Sequence, residues 1–107
     1  MDVGGYVQDF NEAVGTGDWD AFADHFADDA VMEFRGPPVG PFAGKAAIRR
    51  AYAETPPTDT IELAGSPHEE GAVLVVPYRW CATGEPGTMR FEQTADGLIS
   101  RLVITFG

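Results

Sequence analysis

Cysteine is nearly missing from this chain: Cys81 is the only one, so no internal disulfide is available. As a nucleophile Cys81 would need a nearby base, and neither His25 nor His68 is adjacent to it in sequence. It reads instead as a half-buried strand cysteine. Basic residues are also scarce, 7 Lys and Arg against 17 Asp and Glu, for a net charge of −10. Nucleic acid is therefore not an expected partner, because phosphate contacts require a basic footprint, and anionic membranes are disfavoured for the same reason. No apolar run approaches the roughly 20 residues of a membrane span, and the opening MDVGGYVQDF lacks the basic start of a secretory leader. A cytoplasmic location is expected on these grounds.

The acids are unevenly placed. Asp2, Asp9, Glu12, Asp18, Asp20, Asp24, Asp28, Asp29 and Glu33 all precede Arg35, the first basic residue. They read as a solvated face that aids solubility. Hydrophobic residues at 44% and charged ones at 22% are ordinary for a globular fold, and 107 residues predict a single domain over 1–107.

Apolar spacing predicts two helices in series at the start. Val3, Tyr6, Val7, Phe10 and Val14 recur at intervals of three and four, and GTGD then interrupts the stripe. Asp18 is placed to N-cap a second helix with Trp19, Phe22, Ala23 and Phe26 inward, closed by Asp28 and Asp29. AVMEFR alternates as a strand with Ala30, Met32 and Phe34 on one side. GPPVGPFAG reads as a loop, and KAAIRRAYAE as a third helix stopped by Pro56 and Pro57. Four strands follow, TDTIELAG, AVLVVPYRWCA, GTMRFEQTA and LISRLVITFG, separated by turn-rich SPHEEG, TGEPG and DG. Short connections make them an antiparallel meander, so the class is α+β with helices on one face of a curved sheet.

Pro77 inside its strand argues for an edge position or a bulge. The register of that strand is ambiguous by one residue. With Leu74, Val76, Tyr78 and Trp80 inward, the interior gains an indole and a phenol; the other register would bury Arg79. A buried unpaired charge is costly, so the first register is preferred, with Arg79 outside near Glu92. Arg49, Arg50, Arg90 and Arg101 read as solvated or dimer-face residues.

The element order, with GDWDAFADHFADDAVMEF, GKAAIRRAYAE and the closing DGLISRLVITFG, resembles the ketosteroid isomerase and SnoaL-like polyketide cyclase branch of the nuclear transport factor 2-like (NTF2-like) superfamily. The resemblance spans about Tyr6 to Gly107. It implies a cystatin-like cone: three N-terminal helices packed on a curved, mostly antiparallel β-sheet around an apolar pocket. The implied wall comprises Phe10, Phe26, Met32, Phe34 and Tyr52 in the first half. Met89, Phe91, Leu102, Ile104 and Phe106 continue it in the second, and the preferred register adds Trp80. Periodicity agrees that these residues face inward, but a stripe alone does not distinguish a cavity from a filled core.

Ketosteroid isomerase works with an Asp general base and an oxyanion hole made of a Tyr and a protonated Asp. Carried onto this sequence by the resemblance, those positions are Phe34, Phe10 and Met89. A phenyl ring or thioether neither abstracts a proton nor donates to an oxyanion. Asp28 and Asp29 do not replace the base, because a helix-to-strand turn leaves both in water. His25, one helical turn from them, reads as a structural imidazolium among acids. No metal-ligand spacing, phosphate-cradling glycine loop or serine nucleophile motif is present, so no metal and no cofactor are expected.

Tyr52 is the one catalytic candidate. By the resemblance it supports the hydrogen bonds around the oxyanion; here its partner position is Phe10, so its hydroxyl needs another acceptor. A functional contact and a plain core-edge tyrosine both fit it. Tyr6, one turn before Phe10, reads as a surface-edge tyrosine at the pocket rim.

Three readings follow. The first is a domain that binds a small hydrophobic molecule and has lost the isomerase groups. The second is an isomerase, cyclase or dehydratase with a non-standard constellation around Tyr52, since holding reacting atoms together can itself assist a cyclisation. The third is a structural dimer module with a filled core. The lack of an inward carboxylate or histidine favours the first over the second. A homodimer is expected through the convex face, where Ile99, Val103 and Thr105 alternate with the inward residues of the last strand.

Loss of each general base or oxyanion donor costs roughly 10²–10⁴-fold in rate. Incubation with a β,γ-unsaturated ketosteroid is therefore expected to give no enzyme-like formation of the conjugated enone, followed by absorbance; robust turnover would contradict it.

Overall fold

The computed structural model describes residues 1–106, and Gly107, read above as the end of the last strand, lies outside them. Helix α1 (Val3–Thr16) starts where Asp2 accepts a hydrogen bond from Gly5 N at 2.9 Å. It ends on Gly17, whose φ of 79° allows its N–H to reach Ala13 O at 2.8 Å. Tyr6 and Phe10 of the predicted stripe are buried together with Ala13, while Val3, Val7 and Val14 are only partly buried against the core. Helix α2 (Asp20–Ala23) is a single turn whose N-cap position is Trp19 and not Asp18 as expected; Asp18 lies one residue earlier, where its carboxylate accepts from Asp20 N at 3.0 Å in a local turn.

Nor does α2 reach its expected length. Phe26 already opens strand β1 (Phe26–Arg35), so Asp28 and Asp29 lie in a strand and not at a helix end. Pairing overrides helical periodicity here. Phe26 faces Ile99, then the register shifts before Val31 meets Arg101. The extra β1 residues form a bulge that carries both aspartates out to water. Beyond it Ala30 and Met32 are buried and Phe34 is half-buried, the alternation read from the sequence.

Helix α3 (Lys45–Glu54) has the expected bounds. The remaining strands are β2 (Phe42–Ala43), β3 (Ile61–Leu63), β4 (His68–Glu70), β5 (Val73–Trp80), β6 (Pro86–Gln93) and β7 (Ile99–Phe106). They form a curved sheet in the order β2-β1-β7-β6-β5-β3, with β4 also on β5. Every pairing is antiparallel except β1 with β7. Strands β2 and β4 correct the loop readings of GPPVGPFAG and SPHEEG. Neither has a period of its own; each borrows its conformation from the exposed edge of β1 or β5.

Strand β5 takes the preferred register, with Val76 and Tyr78 buried, Leu74 packed on the core and Arg79 exposed. Pro77 sits in an interior strand, not at an edge and without a register shift. It is tolerated because β4 pairs only with Val73–Val75 and β3 only with Tyr78–Trp80. Its carbonyl accepts from Ala64 N at 3.1 Å, so its missing N–H faces the gap between those two short strands. Arg79 bonds Glu62 at 2.6 Å, and not Glu92 as expected, because β3 lies directly beside it. Glu92 belongs with Arg101, which also holds Glu33 at 2.6 Å across the parallel ladder. Ile99 is fully buried in the core and not on the convex face, because a second register shift precedes Arg101.

Edge strand β3 has little to bury, and α1 supplies what holds it. The Asn11 amide donates to Ile61 O and its oxygen accepts from Ile61 N, both at 2.9 Å. One side chain thus acts as a strand partner for Ile61, satisfying both its backbone groups. Among the described residues no helix is long and apolar enough to cross a membrane.

Asn11→Ala leaves two part-buried backbone groups of Ile61 unpaired. It is expected to lower unfolding free energy by about 1–3 kcal/mol in a urea titration, and Asn11→Gln, which keeps the amide, to recover part of that loss.

Candidate functional site

A cavity of about 170 Å³ opens between α1, the C-terminal end of α3 and the concave sheet. Tyr6 and Phe10 reach it from α1; Tyr52, Thr55 and Pro57 come from α3 and the segment after it. The sheet contributes Phe34, Ile61, Tyr78, Trp80, Met89, Ile104 and Phe106. Phe10, Phe34 and Met89, the positions matched to the isomerase groups, therefore all face this space.

Four residues expected on the wall do not reach it. Phe26, Met32, Phe91 and Leu102 are fully buried and packed as core. Phe91 meets the Tyr6 ring edge-on at 5.2 Å and Phe26 meets it at 6.4 Å, so Tyr6 faces the cavity in their place. Tyr6 is consequently no surface-edge residue, being 1% exposed. Thr55, Pro57 and Ile61 were not anticipated: the first two follow a helix in a segment with no period, and Ile61 is the lone buried position of a three-residue strand. The signal that could have found Tyr78 is the register argument that placed it inward.

All 3 tyrosines of the chain line the cavity. Burial pushes each phenol above its ordinary value, strongly for Tyr6 and Tyr52, with repulsion between the prospective phenolates adding to it. Burial likewise pushes Tyr78 up to about 12, against an opposing hydrogen-bond contribution from Trp80. Among the described residues no side-chain hydrogen bond engages the Tyr6 or Tyr52 hydroxyl, nor is either an orphaned buried atom; that description fits only Trp19 Nε1. Phe10 stands edge-on to Tyr52 at 6.3 Å and offers it no acceptor. Gly87 lies opposite Tyr78 on β6, where a Cβ would come within 2.5 Å of the phenol ring. A glycine is thus what lets the Tyr78 ring lie across its neighbour strand.

The wall contains no carboxylate, histidine, lysine or cysteine. His25 Nε2 lies 2.7 Å from Asp9, an α1 residue, and not against Asp28 or Asp29 as expected, since those follow the bulge. Its ring meets Tyr6 edge-on at 5.7 Å, and His25 is not part of the cavity wall. Cys81 is exposed just past the end of β5, and so is not a half-buried strand residue. Among the described residues no three His, Cys, Asp or Glu side chains are grouped to hold a metal ion. The site can donate O–H and N–H hydrogen bonds to an acceptor inside an aromatic shell, and it holds no base to remove a proton.

Residues 7–102 match the family model of the SnoaL-like domain. No curated protein matches the chain by sequence. Among solved structures, an NTF-2 like protein of unknown function from Burkholderia xenovorans LB400 aligns with a TM-score of 0.71 at 19% identity, over 95% of this chain and 80% of that one. A SnoaL-like protein of unknown function from Burkholderia thailandensis aligns at 0.69 and 20%, over 95% and 91%. SalBIII, an epoxide hydrolase/cyclase-like enzyme described in pyran ring formation in the polyether salinomycin, aligns at 0.67 and 22%, over 95% and 88%. These likenesses establish a shared fold.

Because every tyrosine reports on the cavity, a spectrophotometric titration reads the site directly. Unfolded phenols ionise near pH 10 while the folded ones keep their protons, with Tyr78 holding to about 12. Above pH 10 the unfolded state binds fewer protons on its phenols, so their contribution to stability, flat below that point, falls as pH rises through 12, by up to about 1.4 kcal/mol per pH unit per phenol. The expected result is no tyrosinate absorbance near pH 10, then a steep rise coincident with loss of ellipticity. A simple titration at the ordinary tyrosine value would contradict it.

Proposed function

The chain belongs to the SnoaL-like domain family, and on that footing we propose that it binds a small uncharged apolar molecule bearing a hydrogen-bond acceptor such as a carbonyl or ether oxygen. The observation that carries this reading is an aromatic cavity lined by all the chain's phenols and by no group of ionic character. Phenols held protonated by burial are donors at any physiological pH, and an acceptor oxygen is what they lack. Met89 and the phenylalanines supply an adaptable apolar surface. An engineered apolar cavity of about 150 Å³ holds benzene, so the 170 Å³ here suits a single ring with few substituents and is too small for a fused four-ring steroid. An empty space of this size speaks against a filled-core module.

The same phenols favour a second reading. Donors converging on one space can stabilise an oxygen on which negative charge develops, the role of an oxyanion hole. An isomerisation, cyclisation or dehydration oriented by Tyr52 would need the substrate or water to supply the base. The fold shared with SalBIII is compatible with that chemistry. Binding takes precedence because no proton acceptor lines the wall.

We also propose a homodimer through the convex face. On that side of the sheet Val75, Arg90 and Val103 lie in register across β5, β6 and β7, and Pro77, Thr88 and the part-buried Thr105 form the next row, so the face is largely uncharged. Sedimentation at micromolar concentration is expected to give a dimer; a monomer alone would refute it.

Acetophenone tests the binding reading, followed by quenching of Trp80 fluorescence and by native mass spectrometry of freshly purified protein for any retained molecule. Saturable binding is expected, and Tyr52→Phe should weaken it by about 0.5–1.5 kcal/mol. Absence of binding to the folded wild-type protein would overturn the reading.

A further inference from the structure

A second apolar hollow adjoins the first. A groove of about 350 Å³ runs between α3 and the segment after β1, walled by Val39, Phe42 and Ala51, with the exposed Glu54 also on it. It shares Phe34, Tyr52 and Thr55 with the inner cavity, so those three side chains are a partition with one face on each space. Phe34 is the middle of an aromatic row: it stacks on Phe106 of the cavity at 6.2 Å and meets Phe42 of the groove edge-on at 6.3 Å. Unlike the core rings it is only half-buried. Val39, at the outer end, is 48% exposed, the largest exposure among the bulky apolar residues.

We propose that the ligand is elongated, with a compact ring bearing the acceptor oxygen in the inner cavity and an unbranched apolar tail that passes Phe34 and lies in the groove along Phe42, Ala51 and Val39. The proposal rests on the binding reading above and specifies its ligand class. The argument is one of continuity and size. The cavity alone accommodates about one ring, while the adjoining groove is larger, apolar, and open to water at a place where a folded domain otherwise hides its valines. A tail crossing the partition covers that surface without bringing any charge inward. Phe34 then becomes the specificity-determining residue, because its rotamer decides whether the two spaces communicate.

Aryl ketones of increasing chain length, acetophenone, hexanophenone and octanophenone, test this on the wild-type protein. Burial of each methylene is expected to tighten binding by about three- to four-fold until the groove is filled. Val39→Asp, at an exposed position where folding is unaffected, should remove at least ten-fold of the octanophenone gain and leave acetophenone unchanged. If acetophenone binds but longer ketones bind no tighter, the groove proposal is overturned and the cavity reading stands. If the gain persists in Val39→Asp, the tail lies elsewhere and the proposal is again overturned. If no ketone of the series binds, the cavity reading itself fails and takes this one with it.

Discussion

The parallel ladder between β1 and β7 is the strand pairing that joins the two halves of the chain. The helices and β1 come from the first half; the meander β5-β6-β7 is built from local hairpins in the second. Only β1 lying beside β7 turns the meander into the wall of an enclosed space, because it brings Phe34 next to Ile104 and so to Phe106. The Arg101 guanidinium bridges β1 and β6 across the outside of this seam, bonded to Glu33 and within 3.7 Å of Glu92. The bulge in β1 serves the same end: it absorbs the residues that do not match β7 and keeps Ala30, Met32 and Phe34 facing inward.

Charge is then sorted completely. Among the described residues no charged or polar residue is buried, and every acid and base lies on the surface or at its edge. What polarity the interior keeps is neutral: three phenols, the Trp80 and Trp19 indoles and the thioethers. Desolvation favours the neutral form of each phenol, so at neutral pH the tyrosines of the cavity are hydrogen-bond donors. Phe34 and Met89 both face the cavity and give it apolar contact surface.

Two short strands close the sheet's ends beside that space. β2 exists because the edge of β1 pairs with Phe42–Ala43, and the same pairing holds Phe42 against Phe34. Asn11 secures β3 at the opposite end of the sheet, where Ile61 closes the cavity. The β2 edge is thus held by the neighbouring β1, and the β3 edge by a contact with α1 far away in sequence.

Local chemistry in the sequence determined the elements that carry their own signal: the Tyr6 and Phe10 face of α1, the bounds of α3, the inward faces of β5 and β6, and the α+β class. It also determined that Phe10, Phe34, Tyr52, Trp80, Met89, Ile104 and Phe106 face inward, because they lie on stripes whose period is a property of the chain alone, though not that they front empty space. Tertiary structure decided the rest. Whether Phe26 ends a helix or begins a strand depended on Ile99 pairing opposite it, and whether Ile99 faced in or out depended on a shift against β6. Phe91 and Leu102 are as inward as predicted, yet Tyr6 and its neighbours cover them. Periodicity tells which side a residue faces; how deep it lies, and whether empty space is left in front of it, depends on the size and angle of what packs from the other side.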